Sequence, residues 1–262
     1  MMNKKFISIK TLLLVIITML SISQLFGVTK ENKEPPYMPR QINLSGNFVN
    51  FSMPENFSKD FPARDLIESV NLENNSILKE GKPLELLRRW WDFKDNSFIA
   101  KDVGNMMMTI HITEIQDKSK NIGHPVEFIS NILIDLAVRQ KEENKERTEK
   151  NLVYYPEDYQ SFVERIYNKQ RWVSSGSGTM DETSKAFLYW VPISEKTYLT
   201  VEFNFAPDKN IPMRVFIDDY CREMMRKIMS SFDVIYAEEN PIKSKLEKNS
   251  QLKLDALVKE LE

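Results

Sequence analysis

Cysteine is all but missing from this chain: Cys221 stands alone among 262 residues, so no disulfide can form within the molecule and packing must hold the fold. Histidine is nearly as scarce. With only His111 and His124 beside that single thiol, there is no HExxH, no paired CxxC and no His-rich cluster from which a metal site could be built. None of the seven glycines falls into GxGxxG or GxxxxGK[ST], which removes the dinucleotide-binding loop and the P-loop. Charge of one sign is not in excess either. The 36 basic and 38 acidic residues are spread along the sequence and leave a net charge of −2, so no field exists to gather nucleic acid. Catalytic spacing patterns, which arise because bases, nucleophiles and ligands must converge, are not found. The sequence therefore reads as that of a non-enzyme, with no catalytic residues, no metal and no cofactor.

What is present begins at the N-terminus. "MMNKK" supplies a positive leader and "TLLLVIITMLSIS" (Thr11 to Ser23) an uncharged apolar run of the length of a secretory signal. Ser21 and Ser23 suit a cleavage site, whereas Leu25, Phe26 and Val28 prolong the apolar character toward a membrane anchor. Residues 1–28 are thus expected to be a signal peptide or membrane anchor. The mature protein is expected in the periplasm, or anchored in the inner membrane facing it. Residues 29–45, polar and proline-bearing, read as a flexible linker. An α/β domain is expected over 46–237, and a charged helical tail over 238–262, with leucines at 246, 254, 257 and 261. That tail is either a solvated extension or a contact for a partner.

Within the domain, hydrophobic periodicity predicts a strand at "NFVNFSM" with Val49, Phe51 and Met53 on one face. Gly104-Asn105 reads as a turn before a strand at "MMMTIHITEI". A helix opening at Pro125 carries Val126, Ile129, Leu133, Leu136 and Ala137 as an apolar stripe. Strand candidates follow at "QSFVERIYN", "RWVSSGSG", "AFLYWVPI" and "TYLTVEFNF". In the last, Leu199, Val201, Phe203 and Phe205 line one side, while Tyr198, Thr200, Glu202 and Asn204 read as a solvated face. A second helix buries Ile217, Tyr220, Cys221, Met224 and Ile228, and "SSFDVIY" returns as a short strand. Short spacings without intervening helices imply an antiparallel meander. The expected fold class is α+β: a mainly antiparallel sheet packed with two amphipathic helices. Cys221 lies on a buried stripe and reads as a small hydrophobe. Asp218 and Asp219 point to different faces of a helix and read as solvated. "SSGSGTMDETS" (Ser174 to Ser184) reads as a mobile hairpin loop, with anion binding through its backbone amides as the alternative.

One stretch stands apart. "RRWWDFKD" (Arg88 to Asp95) places two arginines beside two tryptophans. As a strand, Leu86, Arg88, Trp90 and Asp92 share one face and Leu87, Arg89, Trp91 and Phe93 the other; as a helix, Leu84, Leu87 and Trp91 form a core stripe. Either way the two indoles fall in different environments, one in the core and one beside an arginine, able to anchor a partner, with a purely structural role for both as the alternative. Arg88, Arg89, Trp90, Trp91 and Asp92 are the candidate partner-binding residues.

The order of elements, from "FVNFSMPENF" through "FVERIYNKQRWV", "AFLYWVPI" and "TYLTVEFNF" to "SSFDV", resembles the Mog1/PsbP-like α/β sandwich over about Gly46 to Tyr236. "RRWWDFKD", "GNMMMTIHI", "YYPEDY", "RWV" and "YWVPISEKTYLTVEFNF" are in turn similar to a group of exported bacterial proteins associated with type VI secretion immunity. The resemblance implies a protein partner, a cognate toxic effector that the chain binds and neutralises. It carries no catalytic or contact residue across. An envelope accessory or assembly factor is the alternative, as is a small-ligand or lipid binder with a pocket between helix and sheet.

Overall fold

The structure, a computed structural model, describes residues 35–74, 78, 82–95, 97, 100–250 and 252. The apolar N-terminal run and the leucines at 254, 257 and 261 lie outside them. Among the described residues no helix is long and apolar enough to cross a membrane.

Two sheets form a sandwich. The smaller holds β1 (Tyr37–Leu44), β2 (Asn47–Pro54), β3 (Ser69–Val70) and β11 (Asp233–Ile235) in the order β11-β2-β1-β3. The larger holds β4 (Leu84–Lys94), β5 (Asp102–Glu114), β6 (Val153–Tyr154), β7 (Val163–Tyr167), β8 (Gln170–Thr179), β9 (Lys185–Pro192) and β10 (Thr197–Pro207). Its order is β4-β5-β10-β9-β8-β6, with β7 also on β8, and all its pairings are antiparallel. Helix α1 (Pro125–Asn144) follows the larger sheet's first two strands. A second helical stretch runs as α2 (Met213–Phe216), a π-helical turn (Ile217–Cys221) and α3 (Arg222–Ser231), and α4 (Pro241–Lys248) comes last. The α+β class and the antiparallel meander are as expected.

The core between the sheets follows from period-two alternation. Ile42, Leu44, Val49, Phe51 and Met53 of the small sheet meet Trp91, Met106, Met108, Ile110, Ile112, Val201, Phe203 and Phe205 of the large one. Ile217, Cys221 and Ile228 of the expected stripe close this layer, joined by Met229, while Tyr220 and Met224 are only partly buried against it. Phe51 stacks on Phe232 with centroids 5.0 Å apart. Burial raises the Cys221 thiol pKa well above its ordinary range, so it stays a neutral core group.

Several expectations are corrected. The linker assigned to 29–45 is, over Tyr37–Leu44, strand β1, joined to β2 by a two-residue turn in which Ser45 and Gly46 both have positive φ. Its Pro39 is tolerated because β3 pairs only with Asn43 and Leu44, leaving the first half of β1 as an edge. Gly104 is no turn but part of β5. At φ 143° it lies where an added Cβ would sit 2.6 Å from the Ala206 carbonyl oxygen, so only glycine lets β5 and β10 approach. "SSGSGT" is the paired strand β8, and Gly178 makes room for the Tyr154 ring and hydroxyl. The mobile loop shrinks to a turn around Asp181. The first half of the tail is docked, too. Asn240 caps α4, donating to Asn47 Oδ1 and the Ile193 carbonyl at 2.7 Å each, and Ile242 is wholly buried.

Candidate functional site

β5 and β10 pair over eleven residues, and the face opposite the sandwich core carries Thr109, His111 and Thr113 on β5 against Glu202, Thr200 and Tyr198 on β10. This face is not solvated. Helix α1 lies over it, burying Phe128, Ile129, Ile132 and Leu136 against Leu188, Trp190 and Tyr198. Each such side chain contributes roughly 1.5–3 kcal/mol. The expected stripe is rotated slightly, since Phe128 and Ile132 face the sheet while Ala137 is exposed.

Beyond Leu136 the same helical stripe turns polar. Arg139 and Glu143, three and seven residues on, fall over the sheet, and Arg139 meets the buried Glu202 with Nη1–Oε2 at 2.8 Å and Nη2–Oε1 at 3.1 Å. Glu202 is only 2% exposed. Burial alone would raise its pKa, but the Arg139 charge and hydrogen bonds outweigh burial and hold it below its ordinary value. Arg139 also donates to Glu143 at 2.7 Å and lies over the Tyr155 ring, whose hydroxyl is 3.2 Å from both Glu143 oxygens.

One turn nearer the helix start, Asp135 accepts hydrogen bonds from the Tyr198 hydroxyl and from Gln116 Nε2, the latter at 2.6 Å. Burial raises its pKa, against the effect of those two donors. On the other side His111 Nε2 is 3.7 Å from Glu85 Oε2 and has no hydrogen-bond partner. Desolvation lowers the His111 pKa, so the ring is neutral near pH 7. Glu85 in turn pairs with Arg88. A row of ionisable side chains, its His111 neutral, therefore runs from Arg88 through Glu85 and His111 to Glu202, Arg139 and Glu143.

Between α1 and this face a cleft of about 700 Å³ opens, with Leu136, Val138, Leu188, Trp190 and Tyr198 among its apolar walls and His111 and Asp135 among its polar ones. His111 Nε2 has no hydroxyl or thiol paired with it, as activation of a nucleophile would require, and Cys221 belongs to the other core layer.

The candidate partner-binding set is divided by the structure. It is a strand, not a helix, and a bulge between Glu85 and Leu87 turns Leu86 and Leu87 both inward. Trp91 is fully buried, with its Nε1 3.3 Å from the Pro54 carbonyl. Arg89 also turns in, bonded to Asp65 and the Arg64 carbonyl at 2.6 Å each and lying over Phe57. Trp91 has no exposed surface, and the Arg89 side chain is 12% exposed. Residues 57–67 bring these acceptors by running along the free edge of β4, with Ser58, Arg64 and Ile67 amides donating to the carbonyls of Trp90, Arg88 and Leu86. Arg88, Trp90 and Asp92 form the outward row. Trp90 is half-buried, stacked on Phe61 at 4.6 Å and donating to the Pro62 carbonyl at 3.1 Å, and Asp92 is exposed.

Sequence reasoning missed Arg139, Glu202 and Asp135. A signal for Glu202 exists: it is the single charge in "TYLTVEFNF". Arg139 follows the stripe residue Leu136 at helical spacing, where a solvated face would leave the stripe. Comparison with protein-family models and with curated proteins gives no match.

Proposed function

We propose that the chain is an exported, non-enzymatic binding protein of Mog1/PsbP-like architecture, a periplasmic immunity protein that binds and neutralises a toxic effector of type VI secretion. The sequence stretches named above supply the effector class. The observation that carries the binding reading is the outward row Arg88, Trp90 and Asp92. Its aromatic is held in place by Phe61 and Pro62, and its arginine by Glu85. A half-buried tryptophan held by stacking and a hydrogen bond, between opposite charges, loses little freedom when a partner covers it. The antiparallel sheet with a helix on one face and a second helical stretch on the other supports the architecture.

The test uses the neighbouring gene. Its product, sent to the periplasm, should kill unless this chain is exported with it, and Trp90→Ala with Arg88→Ala should weaken protection while the protein stays folded. Lethality that the exported chain does not relieve defeats the proposal. The open cleft favours a second reading, a binder of small molecules.

A further inference from the structure

Asp135 is, among the described residues, the one carboxylate lining the cleft that lacks a cationic partner. Glu143 is paired with Arg139 at 2.7 Å, Glu142 with Lys145 at 2.5 Å, and Glu202, beneath the cleft, with the same Arg139. Asp135 has only neutral donors, the Tyr198 hydroxyl and the Gln116 amide. These two fix the carboxylate and use about two of its four or so acceptor positions. Arg139 cannot serve it, being committed to two other carboxylates. Around Asp135 the apolar lining is mostly buried, with Leu136, Leu188, Trp190 and Tyr198 at most 4% exposed, while Val138 of α1 is exposed.

We propose that this cleft binds a small organic cation, a primary or secondary ammonium on an apolar or aromatic stem, with the ammonium against Asp135 and the stem along the exposed Val138. Three arguments select that chemistry. An anion would be placed among Asp135, Glu142 and Glu143, and of the cations among the described lining residues Arg139 is paired and Lys82 already acts on Glu142. A neutral apolar molecule would desolvate Asp135 and return nothing to it. An ammonium restores a hydrogen-bonded counter-charge to the carboxylate. The volume of about 700 Å³ lies inside the range of about 300–1,000 Å³ usual for small-molecule sites. This goes beyond effector binding: Arg88, Trp90 and Asp92 do not line the cleft, although Arg88 reaches its His111 wall through Glu85, and protection without ammonium binding would remove this inference alone.

The test is calorimetric titration of the full chain at neutral pH with butylammonium, phenethylammonium and tryptammonium, each against its matched alcohol and carboxylate. At least one ammonium should bind saturably with one site, and its alcohol and carboxylate about ten- to a hundredfold more weakly, the worth of a charge-assisted hydrogen bond. Asp135→Asn should lose the same factor. Val138→Lys, at an exposed position of the rim, should abolish binding by placing a fixed ammonium in the cleft, and it decides the matter if the Asp135 variant fails to fold. Absence of binding by all three cations, equal binding of the carboxylates, or unchanged affinity in a folded Asp135→Asn or Val138→Lys protein overturns the proposal.

Discussion

Arg139 on α1 and Glu202 on β10, 63 residues apart in sequence, meet as a bidentate ion pair at 2.8 and 3.1 Å, with the carboxylate almost wholly buried between helix and sheet. A buried charge that loses its partner is costly, whereas a pair replaced whole by apolar groups is often neutral. Arg139→Met should therefore lose about 3–5 kcal/mol. Arg139→Met with Glu202→Leu should recover most of that loss. Urea denaturation of the three proteins measures it, and equal losses in single and double variants would show that Glu202 tolerates isolation.

The neighbouring tryptophans should behave differently on truncation. Trp91→Ala empties a fully buried site and should cost about 3–5 kcal/mol. Trp90→Ala removes a half-exposed ring that stacks on Phe61, so its stability loss should be the smaller, and its main effect should fall on the affinity for a partner. Denaturation midpoints beside a binding assay separate the two.

His111 carries a pH dependence. Its folded pKa is lowered by desolvation, which outweighs the raising effect of Glu202 and Glu85, itself offset by Arg139 and Arg88. The unfolded chain takes up a proton near pH 6.5 that the folded chain resists, so this contribution is complete above that pH and falls away as the pH drops below it. Stability followed from pH 7.5 to 5 should decline, and His111→Gln should flatten the slope over that interval. An unchanged slope would assign the decline to other groups.

Gly104 and Gly176 offer a matched pair. At Gly104 an added methyl would meet the Ala206 carbonyl oxygen at 2.6 Å and the Pro207 Cα at 2.7 Å, at a φ of 143°; at Gly176 the nearest atom is 3.6 Å away. Gly104→Ala should cost at least about 1–3 kcal/mol in strain. Gly176→Ala should stay within about 1 kcal/mol of the parent. Thermal unfolding of both tests whether close strand approach is what requires glycine at 104.

How far the fold was legible depends on whether one pattern has one structural cause. "TYLTVEFNF" alternates so strictly that its strand and inner face could be read directly, and the stripe from Ile217 to Ile228 placed the second helical stretch. Arg89 escaped such reading, because its partner Asp65 and the Arg64 carbonyl come from an irregular segment with no periodicity to announce it. β1 was hidden for a related reason: an edge strand may carry Pro39 and Arg40, which look like linker. The glycines of "SSGSG" look like flexibility, and one of them is in fact the space for Tyr154.

Composition and periodicity alone determined that this chain folds without disulfides as an α+β protein with antiparallel strands, two amphipathic helices and a candidate strip at Arg88 to Asp92. Those properties follow from local covalent geometry, which makes side chains repeat every two or 3.6 residues whatever lies opposite them. Tertiary structure decided what lies opposite. A polar strand face reads the same whether it meets water or a helix, so only the docking of α1 could turn Glu202 into a buried charge, give it Arg139, leave Asp135 without a cation and open a cleft beside it. The edge of β4 obeyed the same logic: local alternation put Trp90 and Trp91 on opposite faces, and residues 57–67 settled how much of Arg89 and Trp90 remained for a partner.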